Sequence, residues 1–559
     1  MQAARRLYLY VMSGITLAVI AAGLAILIDV ILTGSGILQH PYDQYTSRRE
    51  QLSQAIAMLV VGVPVWAVHW RLIERGMAPS RPERDAERGS TIRAIYLTLV
   101  LVVTLAVWVT GAGALVQYLI ASADRTLTST SYVDPVASVS MMVVGLIGWV
   151  FHVLVRRRDL SGDPVSGPAA WIPRLYLYGV SLAALTLAIG ALQEFARGTI
   201  APVEFDQGYG RFQVIESGVG AVATALVWLG HWWYVTRLAG GDGWRAADER
   251  VSRTRLAAFI LTVVAATGFA VFATAGFVQG LLAPAIGRLP YDSSEATRLA
   301  FGSLAGAIPW TIAWWGHLRW LRREPAVADP LRALHQVRLL THGMAAVGLT
   351  LGAVGLGWLL GLGIDIVFGG ERMTDPNRLP WTFELAQFVP LAVLGLGLWA
   401  WQWSRVLARR RLDPEGEADS TIRRAFLYLT LAGSVVAALI GATLILYRLV
   451  GTIIGANLTG NAVSALSTPI GALIMAAVLL GYHGTLLRAD QALRPAVVPA
   501  AVPAVAVPAG SAAAVAAGAG SRRTLELVGP EGADLDAALA AARSALPDGV
   551  RLEEPGAGE

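Results

Sequence analysis

Long apolar runs alternate with short polar connections along most of the chain. Each run reaches the roughly 20 apolar residues that a helix needs to cross the hydrocarbon core of a bilayer. The alternation therefore predicts an all-α integral membrane protein with about twelve transmembrane helices. The predicted spans are roughly 7–31, 53–73, 94–120, 136–155, 174–196, 213–236, 256–282, 299–320, 338–368, 385–406, 425–450 and 465–486.

A tryptophan and a histidine three residues apart recur near the end of every second span. The pairs are Trp66 and His69, Trp149 and His152, Trp228 and His231, and Trp314 and His317, and the same frame continues with Trp399 and Gln402 and with Leu480 and His483. Successive histidine positions lie 79 to 86 residues apart. A regular interval indicates a duplicated unit. We therefore predict six tandem hairpins of two helices each.

The hairpins begin with an arginine four residues before an aromatic residue or a histidine. The pairs are Arg6 and Tyr10, Arg174 and Tyr178, Arg255 and Phe259, Arg338 and His342, and Arg424 and Tyr428, with Arg93 and Tyr96 slightly offset. The first and third hairpins share Arg-Leu-Tyr-Leu-Tyr, and the second and sixth share Ser-Thr-Ile-Arg at 90–93 and 420–423. Odd and even hairpins therefore differ.

An acidic residue near the outer end of the first helix also separates odd from even hairpins. Asp29, Glu194 and Asp365 stand there in the odd hairpins, and the even hairpins carry no acid at the comparable positions. The larger repeating unit is therefore a pair of hairpins. We predict three four-helix membrane units, at 1–160, 171–325 and 330–490.

The composition changes abruptly after the last span. Residues 491–520 are mostly Ala, Pro, Val and Gly, and proline at that density favours an extended linker over a helix. Residues 521–559 show a strand-helix-strand pattern but are too few to bury a core alone. We predict a short cytoplasmic tail there, either βαβ-like or disordered, which could bind a protein partner.

Composition supports a membrane protein and excludes some chemistry. The 559 residues are 55% hydrophobic, and the mean hydropathy is +0.55, which is far above the range of soluble proteins. The absence of cysteine excludes disulfides and thiolate metal sites. All 44 basic residues are arginine, and they cluster at helix ends, so the net charge of +5 does not indicate nucleic-acid binding.

Arginine is concentrated in alternate connections, which predicts an orientation. Arg5 and Arg6 precede the first span, and the runs 156–158 and 409–411 follow the fourth and tenth. Arginine-rich loops remain on the cytoplasmic side of a membrane. We therefore predict that both termini are cytoplasmic. The bias towards Ala, Gly and Arg favours a bacterial cytoplasmic (inner) membrane.

The repeated tryptophans and histidines allow several interpretations. Residues at i and i+3 share a helix face, and arginine follows within a few residues, so the first interpretation is an interfacial belt of tryptophans at the inner membrane surface. The belt comprises Trp66, Trp149, Trp228, Trp314 and Trp399. An alternative is ligation of haem b by histidines, namely His69, His152, His231, His317 and His483. Proton handling by the same histidines is a third interpretation.

The polar residues near the outer surface form a second candidate site. Ionisable groups within membrane spans are rare and often functional. The possible pairs are Asp29 with Gln54, Glu194 with Glu216, and Asp365 with Gln387. They could line an entrance for a cation or polar solute, or could simply close each hairpin by hydrogen bonds. The middle of the spans is strongly apolar, which weakens the transporter hypothesis.

The hairpin signatures are similar to those of a bacterial family of multi-pass membrane proteins known only as a domain of unknown function. The segments 6–10, 174–178, 66–70 and 228–232 carry the resemblance. It covers roughly 1–490 and implies class and topology only, because the family brings no established activity. Repeats four to six match less well, and Gln402 and Leu480 break the pattern.

The first functional hypothesis is a non-enzymatic scaffold, sensor or accessory subunit of a membrane complex, with the lipid bilayer as its surroundings. The alternatives are a haem-binding redox subunit and a transporter or channel. We predict no catalytic residues, no metal site and no nucleic-acid partner, and no cofactor outside the haem alternative. An enzymatic activity is therefore not expected.

Overall fold

A computed structural model describes most of the chain. The described residues are 2–41, 47–78, 84–123, 133–160, 164–200, 207–286, 293–323, 330–371, 381–454 and 461–493. Within these ranges the secondary structure is helical, without strands. The predicted tail at 521–559 lies outside the described residues, as does all of the predicted linker beyond residue 493.

Twelve long helices and three short ones make up the described fold. In chain order they are α1 (Gln2–Gly34), α2 (Arg48–Gly76), α3 (Arg84–Arg88), α4 (Thr91–Ala123), α5 (Pro135–Leu160), α6 (Pro168–Ile200), α7 (Gln207–Gly240), α8 (Trp244–Val251), α9 (Arg253–Ile286), α10 (Ser293–Arg323), α11 (Pro330–Val367), α12 (Trp381–Leu412), α13 (Pro414–Ala418), α14 (Thr421–Ile453) and α15 (Ala462–Ala492).

Eleven of the long helices are long and apolar enough to cross a membrane. The exception is α10, which has 31 residues but contains Pro309 and several tryptophans that lower its hydropathy. The prediction of an all-helical protein with many helices long and apolar enough to span a membrane is therefore confirmed. Within the described residues eleven helices meet this description, against twelve predicted spans.

Large apolar side chains cover much of the outer surface. Examples are Leu429, Val60, Leu226 and Ile312, which are 73%, 65%, 63% and 63% exposed. Soluble proteins rarely expose continuous apolar surface on this scale. Such a surface is compatible with a bilayer, because a helix surrounded by lipid loses nothing by presenting leucine and valine outwards.

Helix packing follows the same scheme three times. Each long helix packs on its neighbour in the chain: α1 on α2, α4 on α5, α6 on α7, α9 on α10, α11 on α12 and α14 on α15. In addition, α1 contacts α4 and α5, α6 contacts α9 and α10, and α11 contacts α14 and α15. We refer to these sets as group 1 (α1, α2, α4, α5), group 2 (α6, α7, α9, α10) and group 3 (α11, α12, α14, α15).

The groups contact one another through equivalent helices. In group 1, α4 packs against α6 and α7 of group 2, and in group 2, α9 packs against α11 and α12 of group 3. The third long helix of one group thus meets the first two helices of the next.

Glycines allow the closest approaches within the groups. A Cβ at Gly145 of α5 would lie 2.5 Å from the backbone nitrogen of Trp108 on α4. A Cβ at Gly280 of α9 would lie 2.6 Å from the backbone nitrogen of Ala300 on α10. Small residues of this kind let helices in a membrane pack backbone against backbone, where dispersion contacts replace the missing hydrophobic driving force.

Candidate functional site

The short helices α3, α8 and α13 each bring a glutamate into the arginine-rich end of a group. Glu87, Glu249 and Glu417 are 8%, 2% and 1% exposed. The sequence favours a short helix at α13 because Asp413 caps it, accepting from the backbone nitrogen of Gly416, and a proline occupies its first turn. Each short helix ends a few residues before the third long helix of its group begins.

In group 1, two side chains of α1 bind this glutamate. Arg6 Nε donates to Glu87 Oε2 at 2.7 Å, and the Tyr10 hydroxyl donates to Glu87 Oε1 at 2.7 Å. The repeated Arg-x-x-x-Tyr signature therefore has a structural explanation. Arginine and tyrosine lie one helical turn apart, on the same face, and together they hold one carboxylate.

A second arginine extends the network to α4 and α5. Arg93, at the start of α4, donates to the Tyr10 hydroxyl at 2.9 Å. It also donates to both carboxylate oxygens of Asp159 on α5, at 2.7 and 2.9 Å. Arg93 is 1% exposed and Asp159 is 7% exposed, so this is a buried, bidentate ion pair. The network joins α1, α3, α4 and α5.

The same network recurs in group 2. Arg174 Nε donates to Glu249 at 2.8 Å, the Tyr178 hydroxyl donates to Glu249 at 2.5 Å, and Arg255 donates to the Tyr178 hydroxyl at 3.1 Å. The residue equivalent to Asp159 is Glu324, which lies outside the described ranges.

Group 3 contains a variant of the network. Arg338 Nε donates to Glu417 at 2.8 Å, and Arg423, which is fully buried, donates to Asp490 at 2.6 Å. His342 stands where the other groups have tyrosine, and its Nδ1 donates to the backbone carbonyl of Arg338 at 2.8 Å.

The sequence contains a further motif, not used in the predictions above, that links each short helix to the long helix that follows it. Glutamate, serine and arginine follow one another at intervals of three residues, at 87–93, 249–255 and 417–423. The serine begins the long helix; in α14, Ser420 accepts from the backbone nitrogen of Arg423. The sequence pattern pairs Arg424 with Tyr428, but the arginine buried at the start of α14 is Arg423. The constant spacing of Glu, Ser and Arg was the signal that could have identified it.

An aromatic cluster lies directly beside each network. In group 1, Trp70 of α2, Tyr96 of α4 and His152 of α5 pack with ring centroids 5.9 to 6.4 Å apart. The equivalent rings are Trp232, Phe259 and His317 in group 2 and Trp403, Phe426 and His483 in group 3. Histidines on the fourth long helix of a group are thus buried among aromatic rings.

Histidines on the second long helix have a different environment. His69 donates from Nδ1 to the carbonyl of Val65 at 2.7 Å, so its Nε2 accepts from the Tyr8 hydroxyl at 3.3 Å. His231 has the same arrangement, with Tyr176 as the donor at 3.3 Å. In group 3 the tyrosine position holds Leu340 and the histidine position holds Gln402. Group 3 therefore lacks both the histidine and the tyrosine whose hydroxyl binds it in groups 1 and 2.

A polar chain also links groups 1 and 2. The indole nitrogen of Trp149, on α5, donates to the Tyr176 hydroxyl at 3.1 Å, and the same hydroxyl binds His231 on α7. Residues of two successive Trp-x-x-His motifs therefore meet at one tyrosine.

The five tryptophans of the predicted belt are half-buried at helix contacts. Trp66, Trp149, Trp228, Trp314 and Trp399 each pack against a cluster of buried apolar side chains. Their role as a membrane belt stays a prediction, as does haem ligation by the five histidines. The structure does show that these histidines occupy two distinct environments, which the sequence had treated as one.

The outer polar residues lie beside partners that the sequence did not indicate. Asp29 lies 3.0 Å from His40, and Glu194 lies 2.8 Å from Arg197. Gln54 and Glu216 are exposed and Gln387 is half-buried. Asp365 is fully buried at the end of α11, where its backbone carbonyl accepts from Gly370. A cation or solute site formed by these residues stays a prediction.

His40 ties two connections of group 1 together at the end opposite the arginines. Its Nδ1 lies 2.7 Å from Asp134, just before α5, and its Nε2 lies 3.0 Å from Asp29 of α1. Partial burial alone would lower the pKa of His40, but hydrogen bonds and charge interactions with Asp134 and Asp29 outweigh it and raise the pKa above its ordinary value.

The model of a family described as a domain of unknown function (DUF5671) matches residues 6–137, 99–203 and 338–478, more than half of the chain. The chain belongs to this family. No curated protein and no solved structure matches it. The threefold DUF5671 match confirms the predicted relation to an uncharacterised, repeated domain, and its third segment includes Gln402.

Removing one carboxylate of the buried network should destabilise the protein strongly. Asp490→Asn leaves the buried Arg423 without a charged partner, which typically costs about 3–5 kcal/mol of unfolding free energy. Asp419→Asn removes an exposed carboxylate 3.9 Å from Arg424 and should change stability little. Thermal unfolding of both variants in detergent, followed by circular dichroism, measures the difference. Equal melting temperatures would contradict a stabilising network.

The His40 cluster should make stability depend on pH. A histidine whose pKa is raised by folding stabilises the protein below its unfolded pKa of about 6.5, and this contribution is lost as the pH rises through the folded value. His40→Gln should therefore lower unfolding free energy by about 1 kcal/mol near pH 5.5 and much less near pH 8.5. The exposed His335→Gln is the control. A His40→Gln effect that is the same at both pH values would refute the cluster.

Proposed function

We propose that the chain is a non-enzymatic polytopic membrane protein that serves as a scaffold, sensor or accessory subunit of a membrane complex. Its membrane part consists of three four-helix units, 1–160, 171–325 and 330–490, built from six hairpins. The recurrence of one buried network at the same end of each group carries this proposal. The charged side chains there, which a catalytic site could have used, bind one another and join helices.

The twelfth spanning helix of this proposal is α10. It packs on α6 and α9 in the same way that α5 packs on α1 and α4, and α15 on α11 and α14. Its length of 31 residues corresponds to about 46 Å at 1.5 Å per residue, more than the hydrocarbon core requires. Tryptophan and proline lower its hydropathy without adding charge to its central part.

The orientation of the proposed protein follows from its arginines. The networks, the three short helices and the basic runs all belong to the same ends of the groups, and such ends remain cytoplasmic. Both termini then lie in the cytoplasm. With the alanine- and arginine-rich composition, a bacterial inner membrane is the membrane that we propose.

One observation favours haem binding as a second candidate. The Nε2 atom of the buried His483 has no hydrogen-bond partner within the described part of the chain, and a neutral imidazole nitrogen of this kind can bind haem iron. A visible absorption spectrum of the purified protein tests this alternative.

The tail provides the test of the scaffold proposal. The predicted helix of the tail carries Leu535, Leu539 and Leu546 on one face. If this face binds a protein partner, Leu535→Asp with Leu539→Asp should abolish cross-linking of one defined protein to the full chain in native membranes. Asp536→Asn, on another face, should leave it intact.

Quantitative mass spectrometry of the cross-linked proteins supplies the measurement. A set of partners that is the same for the leucine variant, the control variant and the unaltered chain would contradict the proposal. The membrane part is unchanged in all three, so differences report on the tail alone.

A further inference from the structure

A large apolar cleft lies between groups 1 and 2. It has a volume of about 1050 Å³ and is lined by residues of α4, α5, α6 and α7. On α4 the lining extends from Thr98 to Ile120, which corresponds to about 33 Å along the helix axis. The cleft therefore runs through roughly the full thickness of a hydrocarbon core.

Charge is confined to one end of this cleft. Arg156 and Arg157 of α5 line it at the arginine-rich end, near Tyr234 of α7. The opposite end is lined by side chains such as Ile120 and Phe195. The cleft is thus an apolar channel with a cationic mouth, which is the charge distribution that an amphiphile with an anionic head group requires.

Arg156 differs from every equivalent residue in the chain. Four residues after the histidine position, the other hairpins carry Ile73, Val235, Leu321, Val406 and Leu487. These five side chains pack into or against the apolar clusters of their groups or are fully buried there. A cation at this position occurs only where the cleft lies, so the duplicated fold itself does not require it.

Within the described ranges, no hydrogen bond or ion pair joins the Arg156 guanidinium to another residue, in contrast to the nearby Arg93 and Arg158. The nearby carboxylate of Asp159 is occupied by Arg93, and Glu74 is bound by Arg158. A half-buried guanidinium without a carboxylate partner is well suited to bind a phosphate, to which it donates parallel hydrogen bonds.

We propose that the cleft binds one anionic phospholipid of the surrounding membrane, with an acyl chain along α4 and α7 and the phosphate on Arg156. This inference rests on the membrane placement in the proposed function. Basic pockets between transmembrane helices on the cytoplasmic side are known to bind anionic head groups. The lipid completes the contact between groups 1 and 2, where the Trp149, Tyr176 and His231 chain also lines the cleft.

Native mass spectrometry of the purified full chain with added phosphatidylglycerol tests the proposal. One lipid should remain bound per chain, and Arg156→Leu should weaken binding about tenfold or more, since the variant loses the hydrogen bonds from the guanidinium to the phosphate. Leucine fits this position, because Leu321 and Leu487 occupy it in α10 and α15. The matched control is Arg322→Leu on α10, which removes an equal charge away from the cleft.

A second variant distinguishes lipid binding within the cleft from simple electrostatic attraction between the lipid and the arginines. Ala112→Trp keeps both arginines and fills the cleft, which Ala112 lines, and it should also displace the lipid. Phosphatidylcholine should bind more weakly than phosphatidylglycerol. Equal binding of the two lipids, an equal loss in Arg322→Leu, or full binding by Ala112→Trp would each overturn the proposal. The variant with Leu535→Asp and Leu539→Asp in the tail should bind lipid as the unaltered chain does. A failure of the scaffold proposal can therefore be distinguished from a failure of the lipid proposal.

Discussion

The buried pairing of arginine with carboxylate at one end of each group is the interaction on which the rest of the fold depends. A guanidinium that is 1% exposed, such as that of Arg93, or fully buried, such as that of Arg423, is strongly destabilising unless a carboxylate faces it. In a membrane the apolar faces of helices gain little from one another, because lipid is an equally apolar neighbour. The ion pairs therefore determine the position along the helix axis, and the rotation about that axis, at which neighbouring helices contact one another.

Other features of the groups follow from this constraint. Because Tyr10 and Arg93 hold α1 and α4 in register, the rings of Trp70, Tyr96 and His152 meet just beyond the ion pairs. Glycines then set the distance between helices further along the membrane. Among the described residues, the contact between groups 1 and 2 is made by the Trp149, Tyr176 and His231 chain and not by buried ion pairs, and this is where the apolar cleft lies. Strong polar contacts within groups and weaker ones between them would suit a scaffold that accommodates lipid.

The sequence was sufficient to predict an all-helical protein with many helices apolar enough to span a membrane and with a repeated domain, because these features depend on hydropathy and local repetition. It could not identify Glu87 or Asp159 as members of the network. Each resembles an ordinary charged residue in a polar connection, and its partner lies 66 or more residues away. Likewise, the Trp-x-x-His motif was visible, but the separation of His69 from His152 into different environments depends on helix packing. The cleft also depends on how α4 meets α7, which no local pattern encodes.

The central claim is that all three networks lie on one side of a membrane, in units of the same polarity. The chain contains no cysteine, so single cysteines can be labelled without further changes. Asp85→Cys, Val251→Cys and Leu412→Cys, on or next to the short helices, should react with an impermeant thiol reagent only after the cytoplasmic side is opened. Ile37→Cys and Phe368→Cys, both 68% exposed in the unaltered chain, should react from the other side. Labelling of Asp85→Cys and Leu412→Cys from opposite sides would contradict the account.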